Sequence, residues 1–490
     1  MIKKQIIIAL VFAGLLGCVS NKSDTAREPT SFFVHPIDGK DQNPGTITEP
    51  FKTIDRVNQI HLVPGDKVLF FSANTYPGTL VLEKEESGEP GKEITISSYD
   101  ASRAYIDGGD GPGIVCKASN VNINNFRVIG SGSTTNQSSG IIIESGNNIV
   151  LEDLEISGFK KAGLLIKGIS NSIVRLVYAY ENGEAGILLD SLGTTVNHNV
   201  DILNCRTYQN GLDHQSQSPH GGIIIRHLIL GAIRLCASYL NGSADQSSGG
   251  ITITNSEQVT ISESLIYQNN TYNNQGGHGI ALGNDTKACI VERNLTYQNS
   301  GYAQYLTSEG TAPWGENILR YNISDNDGLE VAGSLSISGQ GKIKVLLHNN
   351  IWINDTKPVI DFKSTAVDDT IRFYNNALQV RSTFFNHDIP SSIVFHTEKN
   401  NWYSNPTLPN PFKEYSMIPD WELNQKSNPA RTEDLDAWIK YQLHLKSPLK
   451  GKGLSFADMG YTKNLSVKDF WGNSLSEKQS IDIGAYQLSQ

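Results

Sequence analysis

The sequence predicts an all-β protein in which short strands form coils that stack on one another. Three observations predict this fold. A glycine-led apolar window occurs six times, a Tyr-x-Asn window occurs five times in the same phase, and β-branched runs are repeatedly broken by Gly, Asn and Ser. A unit of about 23 residues cannot bury its own apolar face, so its neighbours must stack against it.

The two windows predict which residues become neighbours along the stack. The glycine-led windows follow one another at intervals of 23, 23, 36, 28 and 29 residues. Identical side chains in adjacent coils lie about 4.8 Å apart, so repeated Asn residues can hydrogen-bond to each other and repeated Tyr rings can stack. The windows begin at Gly140, Gly163, Gly186, Gly222, Gly250 and Gly279, and at Tyr180, Tyr208, Tyr239, Tyr267 and Tyr297.

Composition supports this fold class and excludes others. The chain has 490 residues, with 45 Gly, 3 Met and 18% charged residues. Such a composition is typical of turn-rich β structure rather than of a helical bundle. The 40 Lys and Arg residues against 50 Asp and Glu residues give a net charge of −10. A nucleic-acid groove needs a basic surface, so we expect no nucleic-acid partner.

The N-terminus predicts where the protein is located. Two lysines precede an apolar run, Ile6–Leu16, which is followed by Gly17 and Cys18. The run is too short to span a bilayer. Its end resembles a bacterial lipobox, in which the cysteine carries the lipid and becomes the mature N-terminus. The resemblance implies a lipoprotein signal peptide over residues 1–18 and a flexible tether over 19–30. The protein would then lie outside the cytoplasm, at the outer membrane, held by its lipid alone.

Distinctive segments open and close the rest of the chain. The opening contains Phe33–Gly45 and Pro64–Asp66, and the end contains Asp469–Asn473 and Asp482–Tyr486. Together these segments resemble right-handed parallel β-helix proteins of the pectate-lyase-like superfamily. The resemblance implies a right-handed parallel β-helix that acts on carbohydrate. Its members include polysaccharide lyases, glycoside hydrolases, epimerases and plain binding proteins, so it defines the fold more narrowly than the chemistry.

The pattern of the chain also predicts the domain limits. The β-helix should occupy residues 31–405 and begin with a short helix over Thr53–Leu62 that caps the first coil. The irregular C-terminal segment, 406–490, should pack on the flank of the β-helix. Within it we expect one amphipathic helix over Thr432–Leu445.

Longer intervals between the windows predict where a ligand groove forms. Extra residues at 211–221, 241–249 and 270–277 lengthen the turns between coils. Long loops on a rigid stack are the usual place for a binding site. We therefore expect a groove beside residues 180–330.

An acidic cluster beside this groove predicts glycosidase chemistry. Asp285 and Glu309 are 24 residues apart, which is about one coil. Their carboxyl groups would then approach to about 5 Å, the separation of a retaining catalytic pair. Trp314 would supply a platform for a sugar ring, and Asp327 and Glu330 would bind substrate. The same acids are also typical of turn caps, or of a calcium site that stiffens a turn.

A basic cluster predicts a different chemistry. A lyase acting on a uronic acid needs a base for the C5 proton and a cation to offset the carboxylate. His220 and Arg226 would fill these roles, with His214 and His227 as substrate-binding residues. In the other interpretation, Arg226 belongs to a surface ladder of alternating charge: Glu144, Lys167, Asp190 and Arg226.

A third motif is left without a role. Gly277-His278-Gly279 resembles the Gly-His-Gly of polygalacturonases, but the preceding coil has Ser248-Gly249-Gly250 where those enzymes have paired aspartates. Without these carboxylates the polygalacturonase mechanism does not apply, so His278 is assigned no function.

These patterns together predict a monomer that binds a polysaccharide or oligosaccharide and cleaves its glycosidic bonds by hydrolysis. A uronate-type lyase and a non-catalytic surface glycan-binding lipoprotein are the alternatives. Calcium is left open as a cofactor, because no D-x-D-x-D-G motif occurs. Four cysteines without C-x-x-C spacing are expected mostly as buried thiols: Cys116, Cys205, Cys236 and Cys289.

Overall fold

The computed structural model describes most of the chain. It covers residues 27–404, except for 214–217, 219, 244–248, 272–275, 310–313, 332, 365–368, 381–382, 384, 388, 390 and 392, and residues 442, 447, 449–461, 467–475 and 480–487. The predicted signal peptide, most of the predicted tether and all but one residue of the predicted helix Thr432–Leu445 lie outside the described residues.

The protein is a right-handed parallel β-solenoid of about 11 turns, as the sequence predicts. One wall is an 11-stranded sheet, called the front sheet from here on. Its strands, in chain order, are Leu80–Leu82, Ile114–Cys116, Ile141–Glu144, Leu164–Lys167, Ala185–Asp190, Gly221–Arg226, Gly249–Thr254, His278–Leu282, Gln304–Ser308, Leu335–Gly339 and Ile360–Ser364.

The other two walls belong to one 24-stranded sheet that bends at a corner. In chain order its strands are Ser31–Val34, Lys67–Phe71, Thr75–Pro77, Ile94–Tyr99, Ala104–Gly109, Val121–Gly130, Ile149–Ser157, Ser170–Tyr180, Asn197–Leu203, Arg206–Tyr208, Leu228–Arg234, Ala237–Tyr239, Glu257–Ser262, Leu265–Tyr267, Ile290–Glu292, Leu295–Tyr297, Trp314–Arg320, Ile323–Asp325, Ile343–His348, Ile351–Asn354, Thr370–Tyr374, Ala377–Val380, Val394–Glu398 and Asn401–Ser404. The remaining elements are the strand pair Gly242–Ser243 and Asn270–Thr271, the helix Ile54–Val57 and the 3₁₀ turn Lys84–Glu86.

The predicted ladder of stacked residues is confirmed. The Asn210 side chain donates to Asn241 at 2.9 Å, and Asn241 donates to Asn269 at 3.0 Å. Consecutive Tyr rings have centroids 4.9, 5.2, 4.7 and 4.7 Å apart and planes within 6° of parallel. The windows therefore do mark residues that are neighbours along the solenoid axis. The stacked residues are Tyr180, Tyr208, Tyr239, Tyr267 and Tyr297, with Asn182, Asn210, Asn241, Asn269 and Asn299.

A second asparagine ladder lies at the corner of the 24-stranded sheet, and the sequence analysis did not find it. At this corner one residue per coil has a positive φ, such as Arg293 at 54° and Asn349 at 54°. The next residue in each coil is a buried Asn, and each amide donates to the one above at 2.9–3.0 Å. The ladder consists of Asn294, Asn322, Asn350, Asn376 and Asn400.

Inside the walls the core is apolar. Alternate strand residues such as Ile141 and Ile143 point inward and are fully buried. The four cysteines are buried free thiols, as expected. No helix among the described residues is long and apolar enough to cross a membrane.

The predicted helix over Thr53–Leu62 is much shorter than expected. Only Ile54–Val57 is helical, with Thr53 as N-cap accepting from the Arg56 amide. The chain leaves the helix at Asn58, because this side chain donates to the carbonyl oxygen of Thr79 at 2.8 Å and accepts from the Val81 amide at 3.0 Å. These contacts with the front sheet outweigh the weak helical preference of the sequence.

The described part of the C-terminal segment contacts the later coils. The Tyr461 hydroxyl and the His348 Nε2 are 2.7 Å apart, and the His348 Nδ1 is 2.9 Å from the Asn349 Oδ1. Because Nδ1 must donate to that amide oxygen, Nε2 accepts from the tyrosine. The Asn375 amide donates to the carbonyl oxygen of Leu454 at 3.0 Å.

Removal of one ladder amide tests the role of the Asn stack. Asn269→Ala leaves the buried backbone N–H of Asn241, 3.2 Å from the Asn269 Oδ1, without its acceptor, and it removes one acceptor, at 3.0 Å, of the Asn241 side-chain amide. We expect the free energy of unfolding to fall by about 2–4 kcal/mol, measured by denaturant titration. The control is Gln268→Ala, which removes a more exposed amide contact next to it and should cost under about 0.5 kcal/mol. Equal losses in the two variants would contradict the ladder's role.

Candidate functional site

The outward face of the front sheet carries two columns of side chains. The register pairs Tyr305 with Ser336 and Ser336 with Asp361 in one column. In the other, Thr307 pairs with Ser338 and Ser338 with Lys363. The three loops predicted to wall this face are described only in part. The face is therefore characterised by its strands and by the described turns beside it.

Asp361 organises a cluster of polar side chains at the later coils of this face. Its carboxylate is fully buried, and its Oδ2 accepts from the Tyr302 hydroxyl and from the Lys363 Nζ at 3.0 Å. Its Oδ1 accepts from the Asn386 amide at 3.0 Å and from the His387 Nδ1 at 2.9 Å. These five residues are called the Asp361 cluster.

The local fold explains how these residues meet. In the strand Ile360–Ser364 the apolar Ile360 and Phe362 point into the core, so the residues between and after them, Asp361 and Lys363, point outward. Tyr302 comes from a turn two coils earlier, 59 residues before Asp361 in the chain. In the coil between them the outward residue of the Asp361 column is the small Ser336, so the phenol can reach the carboxylate.

Aromatic rings form the floor next to the cluster. The His278 ring stacks on Tyr305 at 4.3 Å and on Tyr302 at 5.5 Å between centroids. The His278 Nδ1 accepts from the Tyr302 amide at 3.1 Å, which leaves the other ring nitrogen, Nε2, to carry the proton when the ring is neutral. The sequence motif around His278 thus marks a real structural position, although sequence reasoning assigned it no function.

A buried hydroxyl on the same face has no partner among the described residues. Ser336 lies between Tyr305 and Asp361 in the outward column and is fully buried. Its Oγ makes no hydrogen bond with the described residues.

The contacts set the charge of the cluster. Burial disfavours ionisation of Asp361, but hydrogen bonds from Tyr302, Asn386 and Lys363 outweigh it and hold the pKa of this carboxyl below its ordinary value. Burial also opposes the charge of Lys363, but Tyr302 and Asp361 outweigh it and raise the pKa of the ammonium group. Burial, with a further contribution from Asp361, raises the pKa of Tyr302 to about 12. At neutral pH the cluster therefore presents a carboxylate, an ammonium and a neutral phenol.

The predicted acidic pair lies in turns at one edge of the front sheet. The strands His278–Leu282 and Gln304–Ser308 pair with a 24-residue offset, so Asp285 and Glu309 occupy matching places in adjacent coils. Both residues are exposed. The Glu309 amide donates to the Asn284 side chain at 2.7 Å, which links the two turns. The two turns are therefore neighbours, while the separation of the two carboxyl groups and their catalytic role stay predictions.

The predicted basic pair is not brought together. Arg226 lies outward at the end of the strand Gly221–Arg226, with its Nη1 3.6 Å from the Asp190 carboxylate. His220 precedes the other end of this strand and is buried, with its Nε2 donating to the carbonyl oxygen of Asp213 at 2.7 Å. A strand of this length separates the two by about 20 Å. His220 and Arg226 therefore do not form the predicted catalytic pair.

Two of the predicted substrate-binding residues have other surroundings. His227 places its Nδ1 3.0 Å from Asp190 and its Nε2 3.3 Å from the Asn255 amide, at the edge of the face. Glu330 is exposed in a turn, where its amide donates to the carbonyl oxygen of Ser300 at 2.9 Å. His214 lies outside the described residues.

Trp314 and Asp327 are corrections to the sequence analysis. Trp314 is buried in the core and its Nε1 donates to the carbonyl oxygen of Gly283 at 2.8 Å, so its ring is not available to a sugar. Asp327 is also buried, and it ends the first Asn ladder by accepting from the Asn299 amide groups at 2.7 and 3.0 Å. It therefore stabilises the stack instead of contacting substrate.

A metal site is not apparent in the described part of the chain. There, no three side chains of His, Cys, Asp or Glu type come together in a way that could hold an ion. Calcium remains an open expectation.

Comparison with known proteins identifies the family. The family model described as the Pel9A-like right-handed β-helix region matches residues 32–312, more than half of the chain. The chain belongs to this family. Among solved structures, this Pel9A-like protein is similar to pectate lyase Pel9A, with 15% identity, 94% of this chain and 96% of that chain covered, and a TM-score of 0.47.

Two further structures show the range of the likeness. The complex of XylC with xylose has 11% identity, 94% and 98% coverage and a TM-score of 0.53. The family 28 exopolygalacturonase of Yersinia enterocolitica has 11% identity, 78% and 79% coverage and a TM-score of 0.45. At these identities the comparison shows the fold alone. A search of curated proteins gives no significant match.

The position of Asp327 predicts a specific pH dependence of stability. Burial raises the pKa of Asp327 to about 6, against hydrogen bonds from Thr296, Asn299 and Ser324. The folded state then binds this proton more tightly than the unfolded state, so the wild type loses stability as the pH rises through 6. Asp327→Asn lacks this loss, and its stability relative to wild type should grow by about 2–3 kcal/mol between pH 4 and pH 8.

Denaturant titration at several pH values measures this difference. Asp325→Asn changes the last residue of the strand that precedes Asp327; it removes the same charge from a less buried position and serves as the control. A relative stability of Asp327→Asn that does not change with pH would contradict the assignment of a buried carboxyl group with a raised pKa.

Proposed function

We propose that this protein cleaves an acidic polysaccharide by β-elimination at the Asp361 cluster. One observation carries the proposal: the Lys363 Nζ lies 3.0 Å from both the Asp361 carboxylate and the Tyr302 hydroxyl, on an outward face, with half of the lysine side chain exposed. A cation, a phenol and an oriented histidine are the groups that such an elimination needs. The family is also named for a relative that is described as a pectate lyase.

The chemistry assigns a role to each group. In a uronic acid the base removes the C5 proton, the C–H electrons form the C4–C5 double bond, and the C4–O bond breaks with its electrons on the leaving oxygen. Charge builds up on the substrate carboxylate during this step, and the Lys363 ammonium would stabilise it. The phenol of Tyr302, which donates to Asp361 in this structure, would give up that contact during the step and transfer its proton to the leaving oxygen.

His387 would act as the base. Its Nδ1 donates to the ionised Asp361 at 2.9 Å, so the Nε2 lone pair remains available, and 55% of the side chain is exposed. A carboxylate behind a histidine fixes the tautomer and stabilises the protonated ring. The cluster contains one carboxyl group, held ionised, and so lacks the two carboxyls in different protonation states that a glycosidase uses.

Hydrolysis by Asp285 and Glu309 is the second candidate. The 24-residue register between their strands supports it, since this offset would bring the two acids to corresponding turns of adjacent coils, as a retaining pair requires. A non-catalytic glycan binder is the third candidate, and it would bind polymer without forming product.

A screen of acidic and neutral polysaccharides distinguishes these functions. We expect an acidic polymer to give an unsaturated product, followed by ultraviolet absorbance, together with new reducing ends. Tyr302→Phe and Lys363→Met should each lower kcat by about 100-fold or more, because each removes a group that acts on the transition state. Lys40→Met, an exposed lysine at the first coil, is the control and should leave kcat unchanged.

Other outcomes would overturn the elimination mechanism. Reducing ends without ultraviolet absorbance, lost in Asp285→Asn and Glu309→Gln, would establish hydrolysis. Binding of the polymer with no product by either readout would establish a glycan-binding protein.

We also propose that the protein is anchored by lipid at Cys18, on the strength of the lipobox-like Leu15-Leu16-Gly17-Cys18. The wild type, expressed in bacteria, should incorporate an alkyne-labelled fatty acid and sediment with membranes. Cys18→Ala should do neither, while Cys116→Ala, which changes a buried thiol, should behave as wild type. Labelling of Cys18→Ala equal to wild type would contradict the anchor.

A further inference from the structure

A separate cavity lies on another wall of the solenoid. Its volume is about 460 Å³, within the usual range of about 300–1,000 Å³ for small-ligand sites. It opens between the strands Trp314–Arg320, Ile343–His348 and Thr370–Tyr374 of the 24-stranded sheet and residues 459–461 of the C-terminal segment. It therefore does not belong to the front sheet or to the Asp361 cluster.

The cavity has an apolar floor and a polar rim. Ile318 and Leu346 pair in register and point outward as half-buried floor residues. Arg372 continues this column in the next coil, and Lys344 pairs with Thr370 in the neighbouring column. The cations therefore lie directly beside an apolar surface.

The wall formed by the C-terminal segment is held in place. Tyr461 donates its hydroxyl proton to the His348 Nε2 at 2.7 Å and packs edge-on against Phe456 at 5.6 Å. Burial, reinforced by Arg320, lowers the pKa of His348 to about 3, so this acceptor stays neutral at physiological pH. The tyrosine ring is thus a fixed side of the cavity.

The charged groups of the rim differ from the other charges of this wall. Glu316, Lys344 and Arg372 are exposed, and none has an ion pair or side-chain hydrogen bond with a described residue. By contrast, Arg320 in the same sheet binds Glu292 at 2.7 Å. Two cations and one carboxylate around the cavity leave a net positive charge.

We propose that this cavity binds one residue of an acidic oligosaccharide, separately from the catalytic face. The C–H face of a sugar would lie on Ile318 and Leu346. Its carboxylate would pair with Lys344 and Arg372, and Glu316 would accept from its hydroxyl groups. A pyranose carrying a carboxylate matches an apolar floor with a cationic rim, whereas a neutral sugar would leave both cations without a partner.

Calorimetric titration with trigalacturonate tests the site. The protein is the full chain carrying Tyr302→Phe, so that the probe is not cleaved during the titration. Galactotriose serves as the matching neutral probe. Adding Lys344→Ala and Arg372→Ala should remove one bound trigalacturonate per chain, or weaken that site by about tenfold or more. The control variant, Lys40→Ala with Lys92→Ala, removes the same charge at the first coils. It should change neither the number of bound trigalacturonate molecules per chain nor their affinity.

The binding experiment distinguishes failure of this proposed binding site from failure of the proposed catalytic function. Binding is counted per chain and does not depend on turnover, so the site can be present even if no polysaccharide is cleaved. Arg372→Glu alone should weaken binding further than Arg372→Ala. An unchanged number of sites in the Lys344→Ala and Arg372→Ala variant, or equal binding of galactotriose at this site, would overturn the proposal.

Discussion

The axial register between coils is the constraint on which the rest of this structure depends. It is enforced by side-chain amides, because each buried Asn both accepts from the coil below and donates to the coil above. An Asn out of step by one residue would leave several buried donors without acceptors, which is costly in an apolar interior. The amides thus make the stacking specific, while the apolar core makes it favourable.

The sequence predicts this architecture because a stacked coil repeats the same local requirements. The Tyr and Asn ladders follow directly from the Tyr-x-Asn windows. The corner ladder was missed, although Asn294, Asn322 and Asn350 recur at 28-residue intervals, because each is accompanied only by a following Leu or Ile, which is common throughout the strands. Trp314 was misjudged because the register shifts between Trp314 and Asn317, and a shift of one residue exchanges the inward and outward sides of a strand.

The Asp361 cluster could not be predicted in the same way. Tyr302, Asp361 and His387 occur once each and come from different coils, so no repeat indicates that they meet. Only the register shows that residues 59 positions apart share one hydrogen bond. Asp327 shows the converse, since a carboxylate at a break in a ladder suggested a surface role, whereas its position continues the buried stack.

The central claim is that stacking combines Tyr302 and Lys363 into one catalytic unit. A double-mutant cycle of cleavage rates with Tyr302→Phe, Lys363→Met and the double variant tests it most directly. The account predicts that the double variant is about as slow as the slower single variant, because either change disables the same unit. If the two losses multiply instead, the residues act independently and the claim is contradicted.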